Sequence, residues 1–136
     1  MYGLTLTFDP SKTGFEKVFR EYQVIALRYI WENEGNSVTS RQIYNHVKDS
    51  LRDGKTISRA SIINFLNMMS EEELLNYEEE TCKGGTRRRY TPGLDERGFK
   101  KYIAKTVLDS LVKDFPQPTR EVIRESLSAP TGESGR

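Results

Sequence analysis

Apolar residues recur along this chain at two different spacings, and the change between them falls in mid-sequence. From Glu21 to about Asn33, Tyr22, Ile25, Ala26, Tyr29 and Ile30 fall on one stripe, with Val24, Leu27 and Trp31 beside it. Positions three and four apart share a helix face, so the pattern predicts a helix buried on more than one side. Glu34-Gly35-Asn36 ends it, glycine being common just past a helix end. Thr39 followed by Gln42 reads as a capping box, in which each side chain satisfies the other's backbone N–H. Ile43, Val47 and Leu51 then mark an amphipathic helix of about three turns, and Arg52-Asp53-Gly54-Lys55 a turn. Ser58 is a second N-cap, opening a helix whose apolar stripe is Ile62, Phe65, Leu66 and Met69.

From there the spacing shortens. Leu74 to Cys82 reads as a strand, Gly84-Gly85 as a hairpin turn, and Thr86 to Thr91 as the returning strand, closed by Pro92-Gly93. With the glycine pair at the centre, Lys83 faces Thr86, Cys82 faces Arg87, Thr81 faces Arg88, Glu80 faces Arg89 and Glu79 faces Tyr90. Asp95 then caps a long helix to about Lys113, with Phe99, Tyr102, Ile103, Thr106, Val107, Ser110 and Leu111 on one stripe. Pro116 and Pro118 break it, and Thr119 and Val122 begin a last amphipathic turn or two carrying Ile123 and Leu127. At the other end, residues 4 to 8, LTLTF, alternate and predict a short edge strand or a tethered arm, and Ser11 to Phe19 suggests no more than a helical turn.

The expected fold is therefore mainly α with a small β wing: a winged helix-turn-helix domain plus C-terminal dimerisation helices. Residues 1–93 form the DNA-binding domain with its N-terminal arm, 94–127 the helical dimerisation segment, and 128–136 a disordered tail, polar and small in composition.

Charge changes the picture only locally. The balance of 21 basic and 20 acidic residues excludes a uniformly basic nucleic-acid binder, so any attraction to phosphate must come from distribution along the chain. The cations cluster as Lys83, Arg87, Arg88 and Arg89 around the hairpin, while Glu71 to Glu73 and Glu78 to Glu80 surround its base. Cys82 is the only cysteine, which excludes an intrachain disulfide and fits a reducing compartment. The first fifteen residues lack the basic start and apolar run of a signal peptide, and no stretch approaches the roughly 18 apolar residues of a membrane span. The expectation is a cytoplasmic protein without a membrane segment.

Three stretches resemble the penicillinase-repressor family, the BlaI/MecI-type winged-helix regulators. EYQVIALRYIWENEGNSVTSRQIYNHV is similar to that family's first two helices, ISRASIINFLNMM to its recognition helix, and RRRYTPGLDERGFKKYIAKTVLDSLVKDFP to the passage from the second wing strand into its dimerisation helix. The resemblance spans roughly residues 20 to 116. It implies a repressor of transcription that binds a palindromic operator as a homodimer, joined by helices after the wing. The chain has no cysteine pair near its C-terminus, so the metal-sensing form of that family is not implied.

The residues themselves supply candidates for double-stranded DNA. Ser58 caps the third helix, whose first turn then offers backbone donors to a phosphate. Beyond it Ser61 and Asn64, three apart on one face, are best placed to reach base edges, with Arg59 at the margin. The face opposite the core stripe carries Ala60, Ser61, Asn64, Asn67 and Met68, small and amide-rich where a solvated helix carries Glu and Lys. Asparagine pairs with adenine N6 and N7, and alanine suits a thymine methyl. Taken alone, Lys83, Arg87 and Arg88 read as a solvated tip kept soluble by charge as well as phosphate contacts. Their position after a helix-turn-helix favours phosphate, while Arg89 reads as a cross-strand partner of Glu80. Phe99, Tyr102, Ile103, Val107 and Leu111 are the expected dimer contacts. His46 reads as a surface or interface residue. Cys82 beside Lys83 and Arg87 suits a redox sensor or a space-filling thiol. No metal, cofactor, enzymatic site or effector is indicated, and a winged-helix protein-interaction module is the competing reading.

Overall fold

A computed structural model describes residues 7–128, so most of the LTLTF segment and the tail after Ser128 lie outside the described residues. Two compact units divide between Glu96 and Arg97. Among the described residues, no helix is long and apolar enough to cross a membrane.

The first unit opens with a 3-10 turn over Gly14–Lys17. Asp9 holds the approach to it, its carboxylate accepting from the Ser11 amide at 2.9 Å and hydroxyl at 2.6 Å, and its own amide donating to Lys17 O at 2.8 Å. The turn delivers three residues to the core. Phe15, Val18 and Phe19 are all buried. Phe15 lies 5.5 Å from Trp31 by ring centroid, and Phe19 meets Phe65 edge-on at 6.0 Å. Each buried phenylalanine is worth about 1.5–3 kcal/mol, so this segment belongs to the domain's core rather than to a loose arm.

Helix α1 runs over Glu21–Glu32 and buries Ala26, Leu27 and Ile30. Gly35 follows it at φ 95°. A short strand, β1 (Val38–Thr39), then precedes α2 (Ser40–Ser50). The capping box forms: Gln42 N donates to Thr39 Oγ1 at 3.2 Å, and Thr39 N to Gln42 Oε1 at 2.8 Å. The turn after α2 sets Asp53 and Gly54 at positive φ and leads to α3 (Arg59–Glu71), capped by Ser58, whose Oγ accepts from Ser61 N at 3.1 Å. Ile62, Phe65, Leu66 and Met69 are fully buried, as their spacing requires.

Strands β2 (Leu75–Cys82) and β3 (Gly85–Pro92) form the wing, and β1 pairs with the other edge of β3, giving the antiparallel order β1-β3-β2. The observed register corrects the sequence expectation. Cys82 pairs with Gly85, Glu80 with Arg87, Glu79 with Arg88, Glu78 with Arg89 and Tyr77 with Tyr90. The turn is centred on Lys83-Gly84 instead of Gly84-Gly85, although both glycines take positive φ, 92° and 136°. Moving the turn centre by one residue moves the partner of every strand residue by two, which preserves the faces but changes who opposes whom. Tyr90 and Leu75 still face the core, and all three arginines acquire a glutamate opposite.

The architecture is thus a winged helix-turn-helix, mainly helical with a small three-stranded sheet, followed by further helices. Helix α4 (Glu96–Asp114), which begins on the last residue of the first unit, and α5 (Pro116–Ser128) are separated by Phe115 alone. The proline pair was expected to delay the last helix to Thr119. Pro116 instead occupies the first helical position, where no N–H is needed and its fixed φ suits the helix. Thr119 Oγ1 donates back to Leu111 O at 3.2 Å across the break.

Candidate nucleic-acid interface

Helix α3 presents Arg59, Ala60, Ile63 and Asn64 outward, all exposed, with Ser61 and Asn67 half-buried. Residues 60, 63, 64 and 67 share one face because they are three and four apart. From Arg59 to Ser70 this helix contains no carboxylate. At its start, the Ser58 and Ser61 hydroxyls lie 3.0 Å apart, so the two candidate serines are engaged with each other at the cap.

Cations from α2 stand beside this face. Arg59 lies 5.2 Å above the Tyr44 ring, and Lys48 lies 5.6 Å from the same ring. Arg41, Tyr44, Arg59 and Ile63 line one small surface depression, with Ser40 and Ile62 at its wall. Cation–π contact holds Arg59 and Lys48 over a common aromatic platform. The sequence reading omitted Arg41, Tyr44 and Lys48. The signal was available, since Tyr44 and Lys48 are four apart on the face of α2 away from Ile43 and Val47. Ile63 was also omitted, being assigned neither to the buried stripe nor to the polar face.

The wing differs from expectation. Arg87 and Arg89 both bond Glu80 Oε2 through their Nε atoms, the latter at 3.0 Å. Arg89 also donates to Ser37 O at 3.2 Å, tying the wing to the loop before β1. The hydrogen bond from Arg87, then burial opposing it, then the bond from Arg89 set the Glu80 carboxyl below its ordinary range. Arg88 turns to the other face of the sheet, toward Asn67 and Tyr77. The expectation that Arg87 and Arg88 lack opposing acids is therefore corrected: Glu80 and Glu79 stand across from them. Lys83 is exposed at the tip and has no ion pair among the described residues.

Two lesser expectations resolve here as well. Cys82 is a free, half-buried thiol directly opposite Gly85; Arg87, expected to face it, pairs with Glu80 two residues away instead. His46 is half-buried and stacks on Tyr29 with centroids 4.3 Å apart and planes 20° apart.

Among the expected dimer residues, Phe99 is buried within the single chain at 1% exposure and stacks on Tyr102 at 6.0 Å, so it presents no surface to a partner. Tyr102, Ile103 and Val107 are half-buried. Leu111 is exposed, as are Leu108, Phe115, Val122 and Leu127.

No protein-family model matches the chain, and no curated protein matches it. Among solved structures, a chain described as a "putative transcriptional regulator" from Thermoplasma acidophilum is similar at a TM-score of 0.45 and 19% sequence identity, over 79% of this chain and 91% of that one.

Proposed function

We propose that this protein is a sequence-specific, DNA-binding transcriptional regulator of the penicillinase-repressor type, acting as a homodimer that represses from a palindromic operator. One observation carries the reading: the outward face of α3 is free of carboxylates and presents Arg59, Ala60 and Asn64, with Arg41 and Lys48 of α2 alongside. In a helix-turn-helix, that face enters the major groove while neighbouring cations meet the backbone. Ser58, Ser61 and the first turn of α3 serve phosphate, Asn64 reads adenine, and Lys83 reaches phosphate from the wing. Asn67, Arg87 and Arg88 contribute to DNA binding chiefly by holding the wing. No cofactor or metal has a role in this scheme.

The test is a salt titration of binding to mixed-sequence duplex DNA, followed by selection of bound sites from a random pool. Log affinity should fall linearly with log salt, with a slope of several units, because each neutralised phosphate releases counterion. Asn64→Ala should relax one position per half-site by about 1–3 kcal/mol and spare non-specific affinity.

A second reading, a winged-helix module that binds protein rather than DNA, draws support from the wing, where Glu78, Glu79 and Glu80 oppose Arg89, Arg88 and Arg87. Salt-insensitive or absent binding to duplex DNA would select that reading.

A further inference from the structure

Ile63 is 41% exposed, whereas the adjacent Ile62 and the next core residues, Phe65 and Leu66, are at most 2% exposed. The core is therefore complete without it. A single exposed isoleucine needs no explanation, but this one occupies the centre of the α3 face, between Ala60 one turn before and Asn67 one turn after. It also shares its depression with Arg41 and Arg59. Whatever covers Ile63 must meet both cations, so it is anionic around an apolar spot. In the DNA major groove that combination is a thymine 5-methyl group set between two phosphate backbones.

The remaining groups on the face agree. Reading guanine calls for an arginine or lysine on the helix reaching O6 and N7. Arg59 is the sole cation between Ser58 and Glu71, and its guanidinium lies over Tyr44. The Asn67 side-chain oxygen accepts from Arg88 at 3.3 Å. What stays available is one amide, Asn64, and two apolar groups, Ala60 and Ile63. Taking the DNA-binding reading above as its basis, we propose that Ile63 packs on a thymine methyl and thereby makes A·T pairs the base pairs this protein selects.

The experiment uses the full chain and a duplex selected by it from a random pool, synthesised with thymidine or with deoxyuridine, which lacks only the methyl. Burying one methyl is worth about fourfold in affinity. Wild type should bind the thymidine duplex about fourfold more tightly for each methyl contacted, and Ile63→Ala should lose about fourfold of that preference, leaving at most what Ala60 contributes. Because Ile63 is outside the core, the variant should keep the wild-type melting temperature. A selected motif made of G·C pairs, equal binding of the two duplexes by wild type, or a thymidine preference that Ile63→Ala leaves undiminished would each overturn the inference while leaving specific DNA binding standing. Failure to bind or select any duplex would overturn the DNA-binding reading and this inference with it.

Discussion

Arg88 on the central strand of the wing donates from Nη1 to the side-chain oxygen of Asn67 on α3, across 3.3 Å. The same guanidinium lies 3.9 Å from the Tyr77 ring centroid, and its Nε stands 3.8 Å from Glu79. Two side chains that each look like a DNA contact in sequence are thus each other's partners. Their bond ties the candidate recognition helix to the wing.

Arg88→Ala should therefore act first on stability. Losing a charge-assisted hydrogen bond and a cation–π contact at a partly exposed site costs about 1–2 kcal/mol, read as a fall of several degrees in melting temperature. Arg88→Lys separates position from charge. Lysine keeps a cation for phosphate but loses the planar fork that spans Asn67, Tyr77 and Glu79. The lysine variant should melt like the alanine variant. A lysine variant as stable as wild type would return Arg88 to the role of a simple surface cation.

Lys83 makes the opposite prediction. It stands at the hairpin tip without an ion pair among the described residues. Lys83→Ala should leave the melting temperature within error and reduce the salt slope of DNA binding by about 1. Arg87→Ala should change the slope less than Lys83→Ala, since its guanidinium is shared with Glu80. Parallel salt titrations of the two variants decide the point.

The wing's pH dependence follows from Glu80. Its carboxyl is held below the ordinary value of 4.5, first by the hydrogen bond from Arg87 and then, against burial, by that from Arg89. A folded-state pKa lower than the unfolded one gives stability that is present above the unfolded value and is lost as pH falls through the folded value. The wing should therefore hold its pairing through mildly acidic pH and loosen only below about 4.5. Carboxyl carbon NMR shifts should show Glu80 titrating below the ordinary glutamate value of 4.5, and Glu80→Gln should remove this acid-side contribution.

Gly93 offers a purely steric prediction. A Cβ there would lie 2.6 Å from Glu73 O and 2.9 Å from the Leu74 carbonyl, backbone atoms held by the Gly93 N to Leu74 O bond of 3.0 Å. Gly93→Ala should destabilise by about 1–3 kcal/mol through forced backbone displacement. Thermal melting against an alanine substitution at the open position Lys83 provides the comparison.

Helix periodicity was the most legible part of the sequence, because α1, α2 and α3 each bury a stripe whose spacing is fixed by the helix itself. Caps were legible for the same local reason: Thr39, Gln42 and Ser58 act within three residues. The wing's existence was legible from its glycines, but its register was not. Either Lys83-Gly84 or Gly84-Gly85 satisfies the local turn chemistry, and the choice depends on Tyr90 meeting both Val38 and Tyr77. Those contacts are distant in sequence, as is the two-residue strand β1. The candidate site was half legible. Asn64 and Ala60 follow from the polar face of α3, whereas Arg41, Tyr44 and Lys48 join it only through the packing of α2, and Asn67 leaves it through a bond from the wing.

The second unit carries the prediction about assembly. Leu108 and Leu111 on α4, Phe115 between the helices, and Val122 and Leu127 on α5 are 40–82% exposed, a concentration of large apolar side chains that monomeric surfaces seldom leave open. A two-fold pairing through these helices would suit operator half-sites about one helical turn apart, or a multiple of that. The intact chain should sediment as a dimer at micromolar concentration. Leu111 is 41% exposed, so pairing can bury about 0.6–1.2 kcal/mol more of it, twice per dimer, and Leu111→Asp should weaken association by about tenfold or more. Phe115→Ser should act similarly, while circular dichroism and melting of the first unit stay unchanged, since both positions lie outside it. Loss of dimer should also lower affinity for a two-half-site duplex far more than for a single half-site. An intact chain that sediments as a clean monomer throughout this range refutes the homodimer.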